Sequence, residues 1–116
     1  MFFINRSLAY KKKQKFQLMY DDSIQAIELD DQNFKAFVRN GEACVELGKK
    51  KNFKNTEFID KGIKRFQKAL LIIDKIKPSD PNFEKKKLLT GQVDKQVLRA
   101  RKIKWLKEQE LKNDVI

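Results

Sequence analysis

Phe3, Ser7 and Tyr10 return 34 residues later as Phe37, Gly41 and Cys44, and this recurrence limits the folds open to the 116-residue chain. In each unit the three positions stand at i, i+4 and i+7, one face of an α-helix. A second set follows the first: Met19, Ser23 and Ala26 in one unit, Gly62, Phe66 and Ala69 in the other. Small residues set against large ones let two antiparallel helices nest, and a helix-turn-helix unit of this period is the mark of a stacked helical array. The second set is displaced by 43 residues, so an insertion of nine is expected in the loop Lys49–Asn55 and the turn after it.

Apolar spacing along the chain predicts five helices and no strand, an all-α fold. The first spans 2–13 and ends at a polar corner, Lys11–Lys15. The second spans 16–29, with Met19, Ser23, Ala26 and Ile27 facing inward. Asn33 is placed to cap the third, 34–47, and Gly48 to end it. The fourth covers 56–76, its face marked by Ile59, Ile63, Phe66, Leu70 and Ile73, and stops before Pro78. Ser79-Asp80-Pro81 predicts the start of the last helix with Pro81 at its first position, and Thr90-Gly91 is its expected weak point. Its stripe, Leu89, Val93, Val97, Ala100, Ile103 and Leu106, is expected to dock on the preceding helices with Trp105 packed inward. Residues 1–77 then form the repeats and 78–116 a basic helix that caps them.

The chain has 27 Lys and Arg against 16 Asp and Glu, a net charge of +11, which favours an acidic partner without choosing one. Its single cysteine, Cys44, rules out an internal disulfide, and with no histidine neither structural zinc nor His-based catalysis has the residues it needs. There is no Gly-rich phosphate loop, and Asp21-Asp22 and Asp30-Asp31 fall where solvated or capping roles are expected. The expectation is a protein with no catalytic residue, metal or cofactor. The longest apolar run, Ala69–Ile73, is far too short to cross a bilayer, and no secretory signal follows Met1. A soluble, intracellular chain is expected. From Lys85 to Lys107 nine basic residues meet one acid, Asp94. Trp105 alone makes a poor stacking platform, so nucleic acid is not the expected partner.

Asn5-Arg6-Ser7-Leu8-Ala9-Tyr10, Ala26-Ile27-Glu28-Leu29-Asp30, Lys35-Ala36-Phe37 and the late Ile103-Lys104-Trp105 carry a resemblance that covers most of residues 2–107. In these stretches the chain resembles the tetratricopeptide repeat family, and within it the co-chaperones that bind chaperone tails, some of which are also ubiquitin ligases. The resemblance implies about two repeats, the second with an enlarged loop, followed by the capping helix. It also implies a carboxylate clamp for an acidic chaperone tail ending in EEVD. Asn5 falls on the second-repeat asparagine of that clamp, and Lys35 and Arg39 on the two basic positions of the third repeat. Phe37 and Val38 become neighbours for an apolar side chain of the peptide.

The chemistry suits the assignment. An amide N–H from Asn5 and charge-assisted bonds from Lys35 and Arg39 can hold a carboxylate between packed helices. Two cations at i, i+4 disfavour an isolated helix by roughly 0.2–0.5 kcal/mol, so an anion has something to relieve. The family clamp also uses a Lys and an Asn from a preceding repeat, and no residues here map onto them. The ligase activity of some relatives resides in a U-box domain, for which this chain has no counterpart.

With only two repeats, Phe2, Phe3 and Tyr10 keep one side uncovered, which suggests a larger complex as a further partner. The alternative is therefore a structural adaptor held inside a large assembly, cytoskeletal or ciliary among others, without a free tail bound. Either implies a cytoplasmic location, with cytoskeletal association as one option.

Overall fold

Two helical hairpins and a long closing helix account for the chain. The computed structural model describes residues 2–50 and 54–114, and among them there are helices and turns but no strand. The helices are α1 (Phe2–Lys12), α2 (Phe16–Leu29), α3 (Phe34–Gly48), α4 (Glu57–Asp74) and α5 (Lys86–Asp114), with one 3-10 turn at Phe83–Lys85. Each packs on the next. Helices α1, α3 and α5 also touch in sequence, so they form one layer and α2 and α4 the other. Residues 51–53, in the middle of the expected insertion, lie outside the described residues. No described helix is long and apolar enough to cross a membrane.

The corner after α1 closes without glycine. Gln14 adopts a left-handed φ of 57°, Lys15 N–H donates to Tyr10 O at 2.9 Å, and Gln14 N–H donates to Lys11 O at 3.0 Å. This bond pair is the Schellman closure of a helix C-terminus. At the next corner Asn33 caps α3 as expected, its side chain accepting from Lys35 N–H at 3.1 Å.

Helices α3 and α4 nest through Gly41, Gly62 and Phe66, the residues of the second recurrent unit. A Cβ on Gly41 would stand 2.7 Å from the Phe66 ring, and one on Gly62 would stand 2.8 Å from Gly41 O. Only hydrogen fits at either place. Gly48 is glycine for a related reason, not as a left-handed terminator. It lies inside α3, no glycine has positive φ, and a Cβ there would meet Ile59 Cγ1 at 2.8 Å and Ile59 N at 3.0 Å.

The core runs through Met19, Phe37, Val45, Ile59, Phe66, Ile73, Val93 and Ala100. A polar chain crosses it. Cys44 Sγ–H donates to Asn40 Oδ1, Asn40 Nδ2 to Ser23 Oγ at 3.1 Å, and Ser23 Oγ to Tyr20 O at 2.9 Å. Fully buried, Asn40 thus pins α3 to α2 and satisfies both ends of its amide. Burial pushes the Cys44 thiol up to about 11, with Lys61 and Arg65 pulling weakly the other way. At neutral pH it stays protonated and shielded. Native protein should therefore resist iodoacetamide at pH 7.5 (roughly one pH unit below the usual thiol pKa), and react only under denaturant, as read by mass spectrometry.

Helix α5 departs from expectation in three ways. It begins at Lys86, not Pro81. Asp80 Oδ1 accepts from Asn82 N–H at 2.7 Å and Asp80 O from Phe83 N–H at 3.0 Å, so Pro81 sits in a turn. It also runs unbroken through Thr90-Gly91. A Cβ on Gly91 would meet nothing within 4 Å. Gly91→Ala should therefore stabilise the fold by about 0.5–1 kcal/mol, the helix-interior difference between the two residues, seen as a higher urea midpoint.

Third, Leu106 is 51% exposed and Trp105 60% exposed, while Lys107 turns inward. Lys107 follows Ile103 at i+4 and so stays on the inward face. Its ammonium donates to Gly48 O and, at 3.0 Å, to Lys50 O. Gly48 O belongs to the C-terminal end of α3, which lacks intrahelical donors and favours a cation, and Lys50 O lies just beyond it. The basic stretch proves partly structural in the same manner. Arg99 bonds Glu46 at 2.7 Å, Lys104 bonds Asp60 at 2.8 Å and Lys86 bonds Asp74 O at 2.7 Å.

Candidate functional site

The inner layer, α1, α3 and α5, leaves a groove of about 560 Å³. Spacing explains its walls. Ile4, Leu8 and Lys11 lie along one face of α1, Lys35, Val38, Arg39 and Glu42 along α3, and Leu89, Gln92, Val93 and Gln96 along α5. Asn5, Phe34 and Lys95 complete it. Apolar floor and polar rim together are the usual make-up of a peptide or small-ligand cleft.

Three of the site residues expected from sequence, Asn5, Lys35 and Arg39, line this one groove, and Val38 lines it with them. Phe37 does not. It is only 4% exposed, belongs to the core, and faces α4, where the Arg65 guanidinium lies 5.9 Å over its ring. The one-residue step from Phe37 to Val38 turns the side chain about 100° round α3, which separates core from groove.

Arg39 is not free. Its Nη1 donates to Glu42 Oε1 at 2.9 Å, and Lys11 pairs with the other oxygen of the same carboxylate. Glu42 is thus a resident anion with two cations on it, buried to 7% exposure. Arg39 retains spare donors, and its Nε is a buried atom without a hydrogen-bond partner among the described residues. Such a donor carries a desolvation cost of roughly 1–3 kcal/mol until something accepts from it. The Lys35 ammonium makes no ion pair among the described residues, and neither does that of Lys95. Four cations and one doubly bonded carboxylate leave the groove electropositive.

Comparison with protein families, curated proteins and solved structures finds no match. The geometry of the site therefore stands on its own.

Beyond Glu42 the groove opens toward a smaller cavity of about 340 Å³ that shares Lys11, Glu42 and Gln96 with it and adds Glu46 and Arg99. Burial raises the Glu46 pKa, but hydrogen bonds from Arg99 and Lys49 outweigh it and the net shift is downward. A depressed carboxylate supports the fold above its ordinary value and loses that support as pH falls through the folded value, so acid loosens the α3–α5 tie.

Sequence reasoning missed Lys11, Glu42, Gln92, Lys95 and Gln96. The α5 residues were within reach, because Leu89, Gln92, Val93 and Gln96 keep i, i+3, i+4, i+7 spacing beside the apolar stripe. Glu42 stands three after Arg39 on the same helix, which marks that pair, but nothing local marks the bond it takes from Lys11 of α1. Asp22 is the same kind of case. Expected at a surface, it is buried and held by Arg6 through Nε at 2.6 Å and Nη2 at 2.7 Å. Among the described residues no group of three or more His, Cys, Asp or Glu is placed to hold a metal.

Proposed function

We propose that this chain is a non-catalytic binding module of the tetratricopeptide co-chaperone kind, whose inner groove takes the acidic C-terminal tail of a chaperone. The observation that carries the reading is the convergence of Asn5, Lys35 and Arg39 on one electropositive groove, from the helices that the family resemblance assigns them to. Asn5 offers an amide donor, Lys35 an ammonium without an ion pair among the described residues, and Arg39 its remaining N–H groups, all suited to a terminal carboxylate. Val38, Leu89 and Val93 offer an apolar wall for a penultimate side chain. Phe37 has no part in it.

Calorimetric titration with a peptide ending in EEVD tests this, free acid against C-terminal amide. The free acid should bind saturably and the amide at least about tenfold more weakly, the worth of about 1.4 kcal/mol at the terminal charge. Lys35→Glu should lower the free-acid affinity by at least the same factor. Equal binding of the two peptides, or none, removes the clamp.

A second reading, a structural adaptor within a larger assembly, is favoured by the outer face of α5. Leu88, Leu98, Trp105 and Leu106 are each more than half exposed there, and Phe2 is 63% exposed at the opposite end of the chain. Apolar side chains grouped in this way usually meet a partner.

A further inference from the structure

Sharing no residue with the groove, an open surface cavity of about 390 Å³ lies between α3 and α4, formed largely by the aliphatic stems of basic side chains. Its walls are Phe37, Lys61, Lys64, Arg65 and Lys68. The groove contains Glu42, the cavity near the α2–α3 corner contains Asp30 and Asp80, and the one beside Arg99 contains Glu42 and Glu46. Among the described residues this one contains no carboxylate.

Its four cations stand at i, i+3, i+4 and i+7, neighbours along one stripe of α4, where like charges repel by a few tenths of a kcal/mol per pair. None makes an ion pair among the described residues. Asp60, one turn before Lys64, is bonded instead to Lys104 of α5. Aromatic rings hold two of the four in place. Lys61 donates to the Tyr20 hydroxyl and lies 5.0 Å from the Tyr20 ring centre and 5.7 Å from that of Phe58, while Arg65 lies 5.9 Å over Phe37. A ring attracts a cation without neutralising it, so the positive charge is oriented and still unmatched.

From this geometry we infer that the α4 cavity binds a compact anion carrying two or more clustered phosphate groups. Charge density decides the class. Lys61 to Lys68 spans about 10 Å of helix. Two phosphate monoesters, each carrying about −1.5 to −2, match four cations within that length. An extended acidic peptide turns a side chain to the same face only every ~6.6 Å, so it supplies about half that charge. A nucleic-acid strand has one charge per phosphate and wants exposed rings for its bases, whereas Phe37 is buried. Arg65 supplies a planar fork for phosphate oxygens and the lysines point charges.

The test uses the full chain, with inorganic tripolyphosphate as the probe in calorimetry at fixed ionic strength. A second arm measures sedimentation with phosphatidylcholine vesicles that contain or lack a phosphatidylinositol bisphosphate. Saturable binding in either arm, weakened at least about tenfold by Lys64→Gln with Arg65→Gln, is the expected result. The first arm alone assigns a soluble phosphorylated ligand, and the vesicle arm a lipid headgroup. Lys12→Gln with Lys13→Gln, exposed cations at and just past the end of α1 that line neither this cavity nor the groove, should leave affinity within about twofold. Arg65→Lys keeps charge and stem and should retain most of the binding, which separates loss of the site from loss of the fold. No saturable binding in either arm, an equal loss in both double variants, or tighter binding of a single-stranded oligonucleotide per phosphate would each overturn the assignment.

Discussion

Phe66→Ala is expected to remove about 3–5 kcal/mol of stability, a large share of the roughly 5–15 kcal/mol that holds a domain folded. The ring is 1% exposed and fills the space that Gly41 leaves at the α3–α4 crossing. Truncation opens a cavity that backbone on one side and helix on the other cannot collapse into. The loss should appear as a lower urea midpoint with an unchanged slope. The same contact makes a sharper forecast. Gly41→Ala alone drives a Cβ to 2.7 Å from the ring, so it should destabilise. Combined with Phe66→Leu, which vacates part of that space, it should cost less than the two single changes added, by at least about 0.5 kcal/mol. Strict additivity would mean that the two residues do not share the crossing.

Gly62→Ala is expected to cost about 1–3 kcal/mol, although alanine is the better helix former by about 1 kcal/mol. Its Cβ would meet Gly41 O at 2.8 Å, Val45 Cγ2 at 2.8 Å and Cys44 Cβ at 3.3 Å. The nearest obstacle is backbone, which no rotamer change moves, so the hairpin itself has to open. A lower thermal midpoint and faster labelling of Cys44 should accompany it. Gly91→Ala, on the open side of α5, should go the other way. Residue type and helix interior are the same in the two cases, and only the neighbour differs.

That contrast bears on how far sequence can take a chain like this. The all-α class, the order of the helices and the nesting of Gly41, Gly62 and Phe66 were legible because periodicity and residue size are local quantities. Met19, Ser23 and Ala26 faced inward as their spacing required. The reason for Gly48, the unbroken helix at Gly91 and the late start of α5 were not legible, because each depends on what stands opposite in space. Lys107 shows the limit most clearly. The apolar pattern placed Leu106 inside, yet Gly48 O at the end of α3 and Lys50 O just beyond it accept from a lysine nearly sixty positions away.

The groove divides along the same line. The family resemblance laid on the repeat register brings Asn5, Lys35, Arg39 and Val38 together, and misplaces Phe37 by a single step round the helix. The Arg39–Glu42 pair follows from i, i+3 spacing, but the second bond from Lys11 and the burial of Glu42 could not be foreseen, and they change the chemistry of the site. On the proposed reading, an incoming carboxylate would share Arg39 with a resident one, and Lys35 and Asn5 would carry more of the grip than three equal partners.

One measurement goes to the centre of the account: nuclear magnetic resonance of the isotope-labelled chain, titrated with an EEVD-ending peptide as free acid. The side-chain amides of Asn5, Gln92 and Gln96 line the groove and report on it directly. They should shift together and saturate along with the backbone amides of Lys35 and Arg39, and stay still when the peptide ends in an amide. Shifts confined to α4 between Lys61 and Lys68, shifts that never saturate, or an unresponsive groove would contradict it.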